Sequence, residues 1–225
     1  MNKKRLISLY ISAFAVLGVL TFFVFKSEKQ DLSPMEQALT LYKNGDYKQS
    51  MIFFAQADSF DIPEASFALG AMHFAGKGTK INIPKAMSYY RKAADLGYAP
   101  AMTTMALLYM NGEGVEKNTE KAVELAEKAA ERNDTEAQMM LAGWYENGEE
   151  VDQDVSKAVE YYKKAAENGD PNAKMALAVI YKDGKGNVLP NEYTAKRWED
   201  SLKQQRKLEN LFQNRPADYV EKISQ

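Results

Sequence analysis

The 225-residue chain contains no cysteine and one histidine, His73. Without cysteine there is no thiol nucleophile, no thiolate-bound metal, no disulfide and no lipidated cysteine near the start. A lone histidine excludes multi-histidine metal sites and leaves few general bases. Neither sign of charge dominates, since 29 Lys and Arg stand against 31 Asp and Glu. The distribution is uneven, however: residues 1–30 hold five bases and one acid, which leaves 24 bases and 30 acids, a net of −6, on the remainder. A surface of that sign does not grip phosphate backbones, so general nucleic-acid binding is excluded. The length allows one domain with a sizeable core, or one domain plus an appendage.

Residues 6–25, LISLYISAFAVLGVLTFFVF, carry no charge, follow Lys3, Lys4 and Arg5, and precede Lys26, Glu28 and Lys29. Twenty helical residues span roughly 30 Å, the thickness of a bilayer core. A cleaved signal peptide usually has a shorter apolar stretch ending at a small-x-small site, whereas Ala13-Phe14-Ala15 lies in mid-stretch. The expectation is an uncleaved signal anchor over residues 1–30, with the basic cluster holding the short N-terminus in the cytoplasm. The rest would then face the periplasm of a double-membraned bacterium, tied to the inner membrane as a single-pass protein by the polar tether 26–33.

Self-similarity organises the remainder of the chain. Ala65, Ala101, Ala137 and Ala173 are spaced by 36 residues, and so are Gly76, Gly112, Gly148 and Gly184. The same offset aligns His73, Tyr109, Tyr145 and Tyr181; Lys85-Ala86, Lys121-Ala122 and Lys157-Ala158; and the alanine pairs at 93, 129 and 165. Each unit reads as two helices: apolar or small residues at 65, 69, 72, 73 and 76 keep the 3.6-residue period, and glycine then stops the first helix. The second opens on Pro84, Asn118 or Asp154 and closes at Gly97, Asn133 or Gly169. The glycine-rich stretch GAMHFAGKG, residues 70–78, is thus a helix end and loop. It lacks the preceding strand and the spacing of a phosphate loop, which argues against nucleotide binding.

A hairpin of this length with A-x-x-x-L-G/A-x-x-Y-x-x-G-x-G followed by K-A-x-x-Y-Y-x-K-A-A-x-x-G resembles the Sel1-like repeat family, a longer-looped relative of tetratricopeptide repeats. The stretches ALGAMHFAGKG with KAMSYYRKAADLG, MALLYMNGEG with KAVELAEKAAERN, and LAGWYENGEE with KAVEYYKKAAENG carry the resemblance. It implies an all-α fold, a right-handed superhelical solenoid of antiparallel helix pairs, with units at 63–98, 99–134, 135–170 and 171–205. Residues 34–62 read as a capping hairpin with its turn at Asn44-Gly45. Residues 206–225 read as a helical cap, with no stop signal from about Glu192 to Asn214 and a break expected at Arg215-Pro216. Unit three has Glu150 in place of the second glycine. Unit four carries one extra residue before Ala195 and lacks the alanine pair.

By similarity to tetratricopeptide packing, first helices line a concave groove. The residues expected there are Phe67, Thr103, Met139 and Met175; Ala71, Leu107, Gly143 and Val179; and Phe74, Met110, Glu146 and Lys182, the other reading being that some of them pack between neighbouring hairpins or under the C-terminal helix. Seven of the eleven methionines lie in first helices, where flexible thioethers suit a surface that grips apolar side chains. His73, in the tyrosine column, and Trp144 are expected in the core. The acidic loop Glu149, Glu150, Asp152 and Asp154 suits a basic partner surface; it lacks the glycine and distal glutamate of a calcium loop. No cofactor or metal is expected. Missing catalytic residue types and the resemblance together imply a non-enzymatic adaptor with a protein partner: an immunity protein neutralising a secreted effector toxin such as a phospholipase, or a scaffold or regulator of an envelope protein complex. A sensor of cell-wall fragments using Phe67, Phe74 and the column Ala75, Asn111, Asn147 and Asp183 is the alternative.

Overall fold

The 36-residue phase of the sequence recurs as helix boundaries. The computed structural model describes residues 32–148 and 150–213. These residues form ten helices in chain order: α1 Pro34–Lys43, α2 Tyr47–Asp58, α3 Pro63–Ala75, α4 Ile83–Asp95, α5 Ala99–Asn111, α6 Thr119–Glu131, α7 Thr135–Asn147, α8 Val155–Glu167, α9 Pro171–Asp183 and α10 Glu192–Gln213. Helices α3, α5, α7 and α9 begin and end 36 residues apart, as do α4, α6 and α8. Among the described residues there is no strand, only an isolated bridge between Lys185 and Val188. Each helix packs on its neighbours along the chain, which makes the array a solenoid held by local contacts.

Capping chemistry explains the shared lengths. Gly76, Gly112 and Gly148 end the first helices in the left-handed conformation, at φ of 69°, 67° and 71°. Second helices end differently: Tyr98, Asp134 and Asp170 donate backbone N–H bonds to the carbonyls of Ala93, Ala129 and Ala165, so the repeated alanine pair supplies the acceptors of the closing turn. At the start of second helices the side chains of Asn82, Asn118 and Asp154 accept from the backbone N–H of Lys85, Lys121 and Lys157. In the first unit the cap is therefore Asn82, and Pro84 sits inside the first turn instead, where its missing N–H costs nothing.

One hydrogen bond sets the loop. The amides of Asn82, Asn118, Asp154 and Asn191 donate to the carbonyls of His73, Tyr109, Tyr145 and Tyr181, at 2.9, 2.8, 2.9 and 2.6 Å. The extra residue of unit four is taken up by the short Lys185–Val188 turn, and the return bond survives.

Fully buried alanines at 65, 101, 137 and 173 and at 86, 122 and 158 let the two helices of a hairpin approach closely around Leu69, Met105, Leu141 and Leu177. The N-terminal hairpin α1–α2 is closed by a capping box between Ser33 and Glu36 and by Gly45 at φ 85°. Among the described residues no helix is long and apolar enough to cross a membrane. The apolar run 6–25, Glu149 and residues 214–225 lie outside the described residues.

Candidate protein-binding surface

The three expected groove columns have different surroundings. Phe67 sits 5.5 Å from the Tyr90 ring and 5.4 Å from that of Tyr98, the residue that opens α5. Thr103 donates its hydroxyl to Asp134, the N-cap of α7, at 3.0 Å. Helices α3 and α5 therefore turn this column toward the hairpin that follows, and the next unit covers Thr103. Leu107, Met139 and Phe74 are likewise only partly exposed, and Phe74 and Met139 pack on the core.

This corrects the sequence expectation for two residues. Thr103 is 1 % exposed and Met110 3 % exposed, so neither lines an open wall. The same packing accounts for the methionines: Met72, Met102, Met105 and Met110 are buried, and their thioethers fill the interior. Sequence period shows which stripe of a helix is apolar, but a stripe pressed against a neighbouring unit has the same pattern as one facing a partner.

At the last unit the cover ends. No further hairpin among the described residues packs on α9, and Met175 and Val179 are 48 % and 54 % exposed. Together with Glu146, Ala176, Ile180 and Lys185 they line a cleft of about 470 Å³. Its floor is apolar. On its rim the Glu146 carboxylate accepts from Lys185 at 2.8 Å and from the Tyr162 hydroxyl at 2.6 Å. The sequence-selected residues Glu146, Met175 and Val179 are thus brought together, while Lys182 is exposed nearby on the same helix. An apolar floor inside a charged rim is the arrangement of a protein contact surface.

The acidic loop is less concentrated than its sequence suggests. Asp154 spends its side chain capping α8, Glu150 pairs with Lys117 at 2.6 Å, Asp152 is exposed, and Glu149 lies outside the described residues. Among the described residues no group of side chains is placed to hold a metal ion. His73 is a core ring: it is buried, stacks on Tyr89 at 5.7 Å, and is pushed below its ordinary pKa by burial and then by Lys85. Trp144 packs against the same core.

Sequence reasoning missed the braces that join the tyrosine and lysine columns. Lys121 lies over the Tyr109 ring at 4.4 Å and Lys157 over that of Tyr145 at 4.1 Å. Their common 36-residue phase was the available signal.

The Sel1 repeat family matches residues 63–98, 99–134, 135–170 and 171–198. In structure the chain is similar to a Sel1 repeat protein from Oxalobacter formigenes, with 29% identity and a TM-score of 0.68 over 76% of this chain and 70% of that one. It is also similar to a protective antigen of uropathogenic Escherichia coli strains, with 31% identity and a TM-score of 0.62 over 69% of this chain. The match spans 33% of the Escherichia coli chain. An immunity protein from Pseudomonas aeruginosa aligns at 19% identity and a TM-score of 0.43, over 80% of this chain and 85% of that one. No curated relative matches the chain.

Proposed function

Since the chain belongs to the Sel1 repeat family, matched over all four units, we propose that it is a non-enzymatic scaffold that holds a partner protein at the membrane through its C-terminal cleft. Sel1 repeats serve protein–protein interaction, and the observation that carries the choice of surface is the pair of exposed apolar side chains, Met175 and Val179, beside the Glu146–Lys185 rim. The floor suits an apolar anchor side chain of the partner, and the rim pair suits its polar neighbours.

The proposed setting follows from residues 1–30. The uncharged run 6–25 behind Lys3, Lys4 and Arg5 supports an inner-membrane anchor with the array on the periplasmic side. A tether of a few residues keeps the array at the membrane, where an antibacterial effector such as a phospholipase would act. The function proposed there is immunity: occlusion of such an effector by the bound array.

Cross-linking of the full chain in cells, followed by purification from solubilised envelopes, identifies the partner. Recovery of a secreted effector, with loss of resistance to sibling attack on deletion, supports immunity. Recovery of a resident envelope protein with unchanged resistance replaces it with a scaffold role, and recovery of no protein removes the binding proposal.

A further inference from the structure

Five of six matching side chains change together in the last unit. In unit three, Lys157 on α8 donates to the Tyr145 hydroxyl at 2.6 Å and pairs with Glu127 of α6 at 3.0 Å. The Tyr145 and Tyr161 rings stack at 6.1 Å, the Tyr161 hydroxyl donates to Glu127, and Lys164 lies over the Tyr161 ring at 5.1 Å. This brace is closed, since its cation and carboxylate satisfy one another.

Unit four repeats the positions without the chemistry. Counterparts lie 36 residues on in α8 and α9, and 37 on in α10, because of the extra residue before the Asn191 cap. Glu127 becomes Lys163 and Tyr145 stays tyrosine as Tyr181. Lys157 becomes Thr194, Glu160 becomes Arg197, Tyr161 becomes Trp198, and Lys164 becomes Ser201. Those six residues, Lys163, Tyr181, Thr194, Arg197, Trp198 and Ser201, line a cleft of about 380 Å³. Two long lysines have shortened to hydroxyls, which opens the space. Two carboxylates have become cations, which takes the net charge of the six positions from zero to +2. Lys163 lies over the Tyr181 ring at 5.7 Å and Arg197 over that of Tyr193 at 6.0 Å, and among the described residues neither forms an ion pair.

We infer that this cleft binds a small oxyanion, a carboxylate or phosphate, carried on a ring or short apolar stem. Lys163 and Arg197 supply the charge, Thr194 and Ser201 the neutral donors, and the Trp198 and Tyr181 rings a flat wall for the stem. A half-buried lysine and an exposed arginine lining one cleft, with no carboxylate among its lining residues, gain from a ligand that brings one. The cleft shares no lining residue with the Met175–Val179 cleft, so it stands or falls separately from the protein-binding proposal.

The test is calorimetry of the full chain in a neutral detergent with phenyl phosphate, phenylacetate and the uncharged benzyl alcohol. Binding of either anion at least about tenfold tighter than benzyl alcohol is expected, and the stronger of the two identifies the group. Thr194→Lys with Lys163→Glu rebuilds the unit-three brace and should abolish the heat while preserving helical content. The inference is overturned by no heat from either anion, by equal binding of benzyl alcohol, or by undiminished affinity in the folded double variant. Should that variant unfold, the exposed Arg197→Gln decides: a fall of about tenfold upholds the site and an unchanged Kd overturns it.

Discussion

Gly70 faces the ring of Tyr90 so closely that a methyl group on it would stand 2.6 Å from Cδ1 and 2.7 Å from Cε1. Later units carry alanine at this position, as Ala106, Ala142 and Ala178, so a side chain is not excluded by the repeat itself. It is crowded here because the Tyr90 ring lies against Gly70 and Phe67 and the Ala86 carbonyl oxygen would stand 3.2 Å from the same methyl, whereas Tyr162, the matching tyrosine in the unit of Ala142, reaches Glu146. Gly70→Ala should lower unfolding stability by about 1–3 kcal/mol, read as a lower denaturation midpoint, despite alanine's better helix propensity. A midpoint at or above that of the parent would refute the clash.

Gly97 separates backbone strain from crowding. Its φ is 89°, and an added methyl would meet nothing within 4 Å. Gly97→Ala should therefore cost about 1–2 kcal/mol through the left-handed conformation alone. Asn133 occupies the equivalent position at φ 60°, and Asn133→Gly should be neutral or mildly stabilising. Equal melting of Gly97→Ala and the parent would sink this reading.

Stability should fall on both sides of neutrality for opposite reasons. Burial pushes the Tyr90 phenol up to about 12, and burial followed by the Glu127 charge pushes Tyr161 to about 12. The folded state keeps both neutral while the unfolded chain ionises them, so their contribution is intact below about pH 10 and is lost as pH rises toward 12. Thermal melts between pH 8 and 11.5 should show this slope, and Tyr90→Phe should flatten it. Buried His73 has the reverse effect: its lowered pKa means that stability is present above about pH 6.5 and is lost below it as the unfolded chain takes up the proton. His73→Phe should weaken the loss between pH 6.5 and 5.

The exposed and buried members of the groove columns should respond differently to charge. Met175→Glu with Val179→Glu places carboxylates in solvent, and should leave stability within about 0.5 kcal/mol while weakening the cross-linked partner complex. Met110→Glu buries a carboxylate and should destabilise by several kcal/mol. Pull-down yield beside thermal melts checks both, and unaltered partner recovery in the double variant would move binding away from the cleft.

Much of the architecture was legible because it is punctuated locally. Gly76 and Gly97 end helices through their own backbone freedom, and Asn118 and Asp154 cap them through their own side chains. Such signals need no distant partner. Three features were less legible. Asn82 displaced Pro84 as the cap, Thr103 was enclosed by the next unit and Met110 was buried, and the cleft beside Trp198 came from counterparts brought together by three helices.

What the sequence alone determined is the phase: a 36-residue alternation of helix, glycine stop, capped loop and helix, each written in residues close to its effect. Only the tertiary structure decided which apolar stripes remain open. A helical period describes one helix, whereas exposure depends on whether another hairpin follows, and past α9 none among the described residues packs on Met175 and Val179.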